Sequence, residues 1–98
     1  MSMELSELRI RIDEVDRELV SLLERRMDVS RDIAACKAER GTPVYDPARE
    51  AEKLAAVRAM CRPDTAAGIG DVFRAVMAAS RSYQSELQSE MREGRNGQ

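Results

Sequence analysis

Residues 5–40 read LSELRIRIDEVDRELVSLLERRMDVSRDIAACKAER, and the spacing of their apolar members decides the fold. From Leu5, steps of three and four reach Leu8, Ile12, Val15, Leu19 and Leu22, then Arg26, then Val29 and Ile33, with Lys37 four residues further on. This is the period of an amphipathic helix. No Gly or Pro interrupts it before Gly41, so at 1.5 Å per residue the helix is about 50 Å long. A compact body of about 100 residues has a radius of gyration of only about 13 Å. One end of this helix therefore projects from its own chain, and a partner chain is expected to cover it. Two cations, Arg26 and Lys37, interrupt the apolar seam.

Composition agrees with a helical chain. Of the 98 residues, 43% are apolar, only 3% are aromatic and 35% are charged, a profile rich in Ala, Leu, Glu and Arg that suits helices and supports one domain. The formal charge of -2 leaves no basic surplus, so neither a nucleic-acid footprint nor a polybasic membrane patch is expected. Any anionic ligand must be met by locally placed cations. The chain has no His, and Cys36 and Cys61 lack metal-ligand spacing, so no metal, no cofactor and no imidazole base are expected. No apolar run approaches the roughly 18 residues that span a bilayer, and Met1-Ser2-Met3-Glu4 lacks the layout of a signal peptide. A cytoplasmic location is expected.

Beyond the long helix, Gly41 is a natural terminator and Pro43 prevents resumption. Ser2 or Ser6 is the expected cap at its start. Asp46-Pro47 supplies an N-cap followed by proline at the first helical position, so a short second helix is predicted from Pro47 to about Arg62, burying Leu54, Val57 and Met60 or Cys61. A third, medium helix follows, capped by Asp64 or Thr65, with Gly68 and Gly70 weakening its first turn. Its apolar positions are Ile69, Val72, Phe73, Val76, Met77, Leu87 and Met91, and Ser80, Tyr83 and Gln84 fall on the same face. Residues 1–91 are expected to form the domain and residues 92–98 a disordered tail. The fold class is all-α, with three helices per chain.

The polar residues on these apolar faces are the candidates for chemistry. Arg26 and Lys37 are 11 residues apart, about three turns and roughly 16 Å along one helix face, close enough for two long side chains to converge on a small anion. Unpaired cations on an apolar seam are costly and call for an anionic partner. An interchain salt bridge serves equally for Arg26, and the favourable field of a helix C-terminus for Lys37. Arg9 lies 17 residues before Arg26, about 25 Å away along the helix, and reaches the same ligand only from a partner chain. Taken alone it is an ordinary surface charge. Asp46 reads as a cap, Arg49 and Glu50 as exposed residues of a first turn, Ser80 as a small residue at a helix crossing, and Gln84 as a hydrogen-bonded bundle residue.

Together these positions are more specific. From about Leu5 to Leu87 the chain resembles the all-helical, AroQ-type chorismate mutases. The resemblance rests on Leu8-Arg9 with Ile12 and Asp16, on Leu22-Leu23-Glu24-Arg25-Arg26, on Lys37, on Pro43-Val44-Tyr45-Asp46-Pro47-Ala48-Arg49-Glu50, and on Phe73, Ser80-Arg81 and Gln84. It implies an intertwined helical homodimer and the rearrangement of chorismate to prephenate in aromatic amino-acid biosynthesis. By resemblance, Arg26 and Lys37 bind the substrate carboxylates, Lys37 and Gln84 meet the ether oxygen, and Arg9 arrives from the other subunit. Arg49 adds positive charge, Glu50 with the Asp46 region holds the ring hydroxyl, and Ser80 meets a carboxylate. The same scaffold also serves isochorismate pyruvate lyases and aminodeoxychorismate mutases, and a non-catalytic helical dimerisation module is a further reading of the bundle alone.

Overall fold

The computed structural model describes residues 4–96, with side chains through residue 94. Three helices, α1 (Leu5–Arg40), α2 (Pro47–Met60) and α3 (Ala66–Asn96), make up the fold, and no strand occurs among the described residues. Helix α3 packs against both α1 and α2, whereas α1 and α2 do not pack on each other. The cavity described below opens where all three come near one another.

The ends of the helices follow local chemistry. Helix α1 begins after Glu4, which is extended and makes no side-chain cap. Ser6 is therefore inside the first turn and not a cap, and Ser2 lies outside the described residues. At the other end Gly41 turns left-handed at φ 67°. Its N–H reaches the Ala38 carbonyl at 3.3 Å while the Thr42 N–H reaches the Lys37 carbonyl at 2.9 Å, the paired bonds of a Schellman cap. The cap thus fixes the backbone of Lys37 itself. Replacing Gly41 by Ala is expected to lower stability by about 1–2 kcal/mol, because a Cβ disfavours this left-handed conformation. Chemical denaturation would measure it, and an unchanged midpoint would mean that the helix end does not depend on the turn.

At the start of α2 the Asp46 carboxylate accepts from the Arg49 N–H at 3.0 Å, with Pro47 in the first turn, as the sequence predicts. The helix stops at Met60, short of Arg62. Cys61 is already extended, consistent with Pro63 holding Arg62 out of helical conformation. Val57 is buried, Leu54 and Cys61 are half-buried, and Met60 is exposed. Helix α3 starts at Ala66, and the hydroxyl of Thr65, one of the expected caps, donates to the Arg62 carbonyl at 3.3 Å. It also continues through Asn96, where the composition suggested a tail. No proline intervenes, and a helix already propagating accepts Gly94 at a cost of about 1 kcal/mol. Gly97 and Gln98 lie outside the described residues.

The crossing of α1 over α3 is polar and close. Ala34 is fully buried, Ser30 and Ser80 meet at 2.7 Å between hydroxyl oxygens, and the Gln88 side chain donates to the Ala34 carbonyl at 3.1 Å. Arg31 adds two donors to the Tyr83 hydroxyl on the outer side. Small residues at positions 30 and 34 let the backbones approach, and the hydroxyls satisfy one another where a larger apolar residue would have to be accommodated.

Little of the apolar surface is covered by this chain. Among the described residues the buried hydrophobic ones are Ala34, Val57 and Met77. Leu5, Leu8, Ile12, Val15, Leu19 and Leu22, six steps of the seam, remain between 43% and 60% exposed. The radius of gyration is 17.8 Å and the longest extent 66 Å, against about 13 Å for a compact body of this size. The N-terminal half of α1 therefore stands clear of the other helices.

Candidate active site

A cavity of about 270 Å³ lies where the C-terminal half of α1, the link from residue 41 to residue 46, the start of α2 and the middle of α3 converge. From α1 it receives Arg26, Ser30 and Lys37, from the link Val44 and Asp46, from α2 Arg49, Glu50 and Lys53, and from α3 Met77, Ser80, Arg81 and Gln84. Val29, Ile33, Val44 and Met77 supply the apolar part of the wall.

Each polar group is placed by its element. The three-turn spacing of Arg26 and Lys37 puts both on the cavity face of α1, and both are half-buried. The Lys37 ammonium donates to the Val44 carbonyl at 2.7 Å, which holds the extended side chain over the cavity and ties down the link. An ammonium has three donors, so two remain. The N-cap at Asp46 orients the first turn of α2, which brings Arg49 and Glu50 to the rim. Arg49 reaches Glu52 at 3.3 Å in an exposed pair, of the kind that contributes little and yields readily to a ligand.

Five cationic side chains line the cavity against the two carboxylates of Asp46 and Glu50. Of the cations, Arg81 is engaged by Glu50 and stacks over the Tyr45 ring with 4.7 Å from guanidinium carbon to ring centroid. By accepting its hydrogen bond Glu50 raises the Arg81 pKa above the ordinary guanidinium value, so Arg81 stays charged at every working pH. Arg26 and Lys53 have no ion pair among the described residues. Positive charge left unpaired on a half-buried wall makes the cavity a receptor for an anion.

At the back of the cavity Gln84 donates from Nε2 to the Ser80 hydroxyl at 3.1 Å, and Ser80 meets Ser30. The remaining Gln84 oxygen is buried with no partner among the described residues. Leaving such an acceptor unpaired costs about 1–3 kcal/mol. Turning the amide over keeps a bond to Ser80, now donated by the serine hydroxyl, and places an N–H donor where the orphan oxygen stood. The site thus holds a neutral donor ready for a ligand acceptor.

The structure brings Arg26, Lys37, Asp46, Arg49, Glu50, Ser80 and Gln84 to one cavity, although these residues span three helices. It does not bring Arg9 there. Arg9 is exposed on the projecting half of α1, about 25 Å along the helix from Arg26. Ser30 and Lys53 are wall groups that were not singled out from the sequence, and Arg81 and Val44 entered there only as part of the resemblance, with no role at the site. Ser30 carried a signal, since it is four residues after Arg26 and shares its face. No local spacing gave Arg81 a role at the site, because its partner Glu50 is 31 residues away. Among the described residues no group of three or more His, Cys, Asp or Glu side chains stands close enough to hold a metal ion. No helix is long and apolar enough to cross a membrane among those residues.

Comparison with known proteins narrows the anion. The family profile described as chorismate mutase type II matches residues 8–85, which include every cavity residue. The chain is 40% identical over 91 residues to the T-protein of Enterobacter agglomerans and 36% identical over 88 residues to that of Haemophilus influenzae. These matches take in 88% and 85% of this chain but only 23% and 22% of those longer proteins. It is 29% identical over 89 residues to the chorismate mutase of Methanocaldococcus jannaschii, a match that covers 88% of this chain and 89% of the relative. A three-helix chain with a cation-lined cavity and a profile match across most of its length belongs to the chorismate mutase type II family.

Proposed function

We propose that this chain catalyses the rearrangement of chorismate to prephenate in a cytoplasmic homodimer whose two sites are each completed by Arg9 of the other subunit. The observation that carries the reading is the convergence of Arg26 and Lys37 with a buried Gln84 side chain that has an unused polar atom, all lining one cavity. Chorismate carries two carboxylates, an ether oxygen and a ring hydroxyl. Its conversion breaks the ether C–O bond as a C–C bond forms within the same molecule, and no proton has to move. The residues suit that task. No His is present in the chain, and the reaction asks for neither a nucleophile nor a base.

Two physical effects do the work. The cations hold a flexible dianion in the compact conformer in which the reacting carbons meet, which supplies proximity. Arg26 and the partner's Arg9 grip the carboxylates, with Arg49 adding positive potential and Ser80 a hydroxyl. Donors aimed at the ether oxygen then stabilise the negative charge that grows there as the C–O bond lengthens. Lys37 and the Gln84 amide are those donors. Glu50, with Asp46 beside it, accepts from the ring hydroxyl and sets the orientation of the ring.

The uncovered seam supports the dimer. Six large apolar residues of the seam, with Ile10 and Val20 beside them, stand exposed on the half of α1 that also carries Arg9. A second copy packed there buries them and brings its own Arg9 toward this cavity in the same step. The first test is direct: purified protein is given chorismate, and loss of substrate and formation of prephenate are followed by absorbance and chromatography. Chorismate left unchanged, or released pyruvate in place of prephenate, would overturn the assignment.

Gln84 supplies a pH test. A neutral amide donates at every working pH, so wild-type kcat/KM is expected to stay level between about pH 6 and 8. Gln84→Glu should instead be active where the new carboxyl is protonated and should lose activity as pH rises through its pKa, because only the acid form donates to the ether oxygen. A pH profile for the variant that matches the wild type would remove Gln84 from the ether oxygen.

A further inference from the structure

Of the cations that line the cavity, Arg81 alone is paired with a carboxylate that also lines it, among the described residues. Its guanidinium bonds Oε1 of Glu50 from one side and lies over the Tyr45 ring at 4.7 Å on the other. Both members of the pair are partly screened from solvent, with side chains 35% and 24% exposed. Arg81 therefore ties together α3, the first turn of α2 and the link. A clamp at that place has a chemical consequence as well as a mechanical one. The first turn of α2 is where the ring substituent of the substrate is received, on the reading given above.

A lone carboxylate at that position prefers an ammonium to a hydroxyl, since a charge-assisted hydrogen bond is roughly twice as strong as a neutral one. With Arg81 in place, Glu50 is no longer a lone carboxylate. One oxygen is occupied, the other still accepts, and the formal charge of the pair is zero. A hydroxyl loses little by this arrangement. A substituent ammonium bound to the free oxygen is brought close to the guanidinium and meets like charge, which is how interfaces reject the wrong partner.

We propose that Arg81 is a specificity-determining residue that makes the Glu50 corner of the cavity select a ring hydroxyl over a ring amine. This rests on the chorismate mutase reading and deepens it. The residue acts through Glu50, orienting its carboxylate and offsetting its charge, and takes no part in bond making.

The test compares chorismate with its analogue bearing an amine in place of the ring hydroxyl, 4-amino-4-deoxychorismate, at neutral pH, where the amine is protonated. Wild type, Arg81→Met and Arg81→Lys are each assayed on both substrates. Wild type should favour chorismate. Arg81→Met should lose about tenfold in kcat/KM on chorismate, chiefly through KM, and its preference should move about tenfold or more toward the amine. Arg81→Lys retains the charge and should keep the wild-type preference. The ratio of the two substrates within one variant does not depend on how much of that protein is folded. An unchanged ratio in Arg81→Met would overturn the proposal. So would an equal shift in Arg81→Lys, or the loss of both activities in Arg81→Met. A wild-type protein that converts neither substrate would instead refute the assigned reaction.

Discussion

Lys37→Ala is expected to lower kcat by on the order of 100-fold or more, the loss that follows removal of a preorganised donor to a developing oxyanion, about 3–4 kcal/mol. The expectation rests on where the ammonium is held. The Schellman cap at Gly41 fixes the Lys37 backbone through its carbonyl, and the Val44 carbonyl fixes the far end of the side chain at 2.7 Å. The group is thus oriented before substrate arrives, which is what makes a donor effective in the transition state. Its removal also releases the link, so the unfolding midpoint should be measured beside the rate. A stability change with less than a tenfold loss in kcat would assign Lys37 to structure alone. A large loss in kcat with KM little changed is the signature of an interaction made mainly in the transition state.

The second large effect concerns the partner subunit. Arg9→Ala and Arg26→Ala chains should each be nearly inactive by themselves. When equal amounts are unfolded together and refolded, half of the dimers are mixed, and each mixed dimer holds one site with both arginines intact. About a quarter of all sites should therefore recover. The argument is geometric. Arg9 stands about 25 Å along α1 from Arg26, outside the cavity of its own chain and beside the uncovered leucines. Tagged chains isolated by two affinity steps would verify that mixed dimers form. Mixed dimers without activity would show that Arg9 is not exchanged between sites. Activity in Arg9→Ala homodimers at the wild-type level would show that it is not needed.

These two experiments address different properties of one helix. Lys37 and Arg26 occupy its packed half, where α3 lies alongside, and Arg9 its projecting half. On the proposed reading, the same 36 residues carry the group that meets the ether oxygen and the group offered to a neighbour. On that reading the length of α1 serves both tasks, since Arg9 and Arg26 stand about 25 Å apart along it.

Much of the architecture was legible without coordinates because its signals are local. The run from Leu5 to Arg40, the glycine at position 41, and Asp46-Pro47 each set a boundary through the conformational preferences of a few adjacent residues. The less certain boundaries were those with competing local signals. Thr65 had a donor to satisfy and a carbonyl at Arg62 within reach, and it took the carbonyl. The charged segment after Met91 resembled a tail in composition, yet it extends a helix already formed, and extension asks far less of the sequence than initiation does. Ser30 was legible in principle from its spacing, but small polar residues at helix crossings are common and give no direction by themselves.

Sequence alone determined that this protein is a chain of three helices, that the first is too long for its own body, and that two cations sit on its apolar seam about three turns apart. Those properties depend on residues near one another along the chain, through helical period, caps and breakers. Only the tertiary structure decided that Glu50 faces Arg81, that Gln84 is buried with an atom to spare, and that Arg26 and Lys53, without an ion pair among the described residues, line the same cavity as Lys37. Such pairings join residues tens of positions apart, and they are set by how three helices cross, which no local preference specifies. Charge and hydrogen bonding in the cavity belong to that second level.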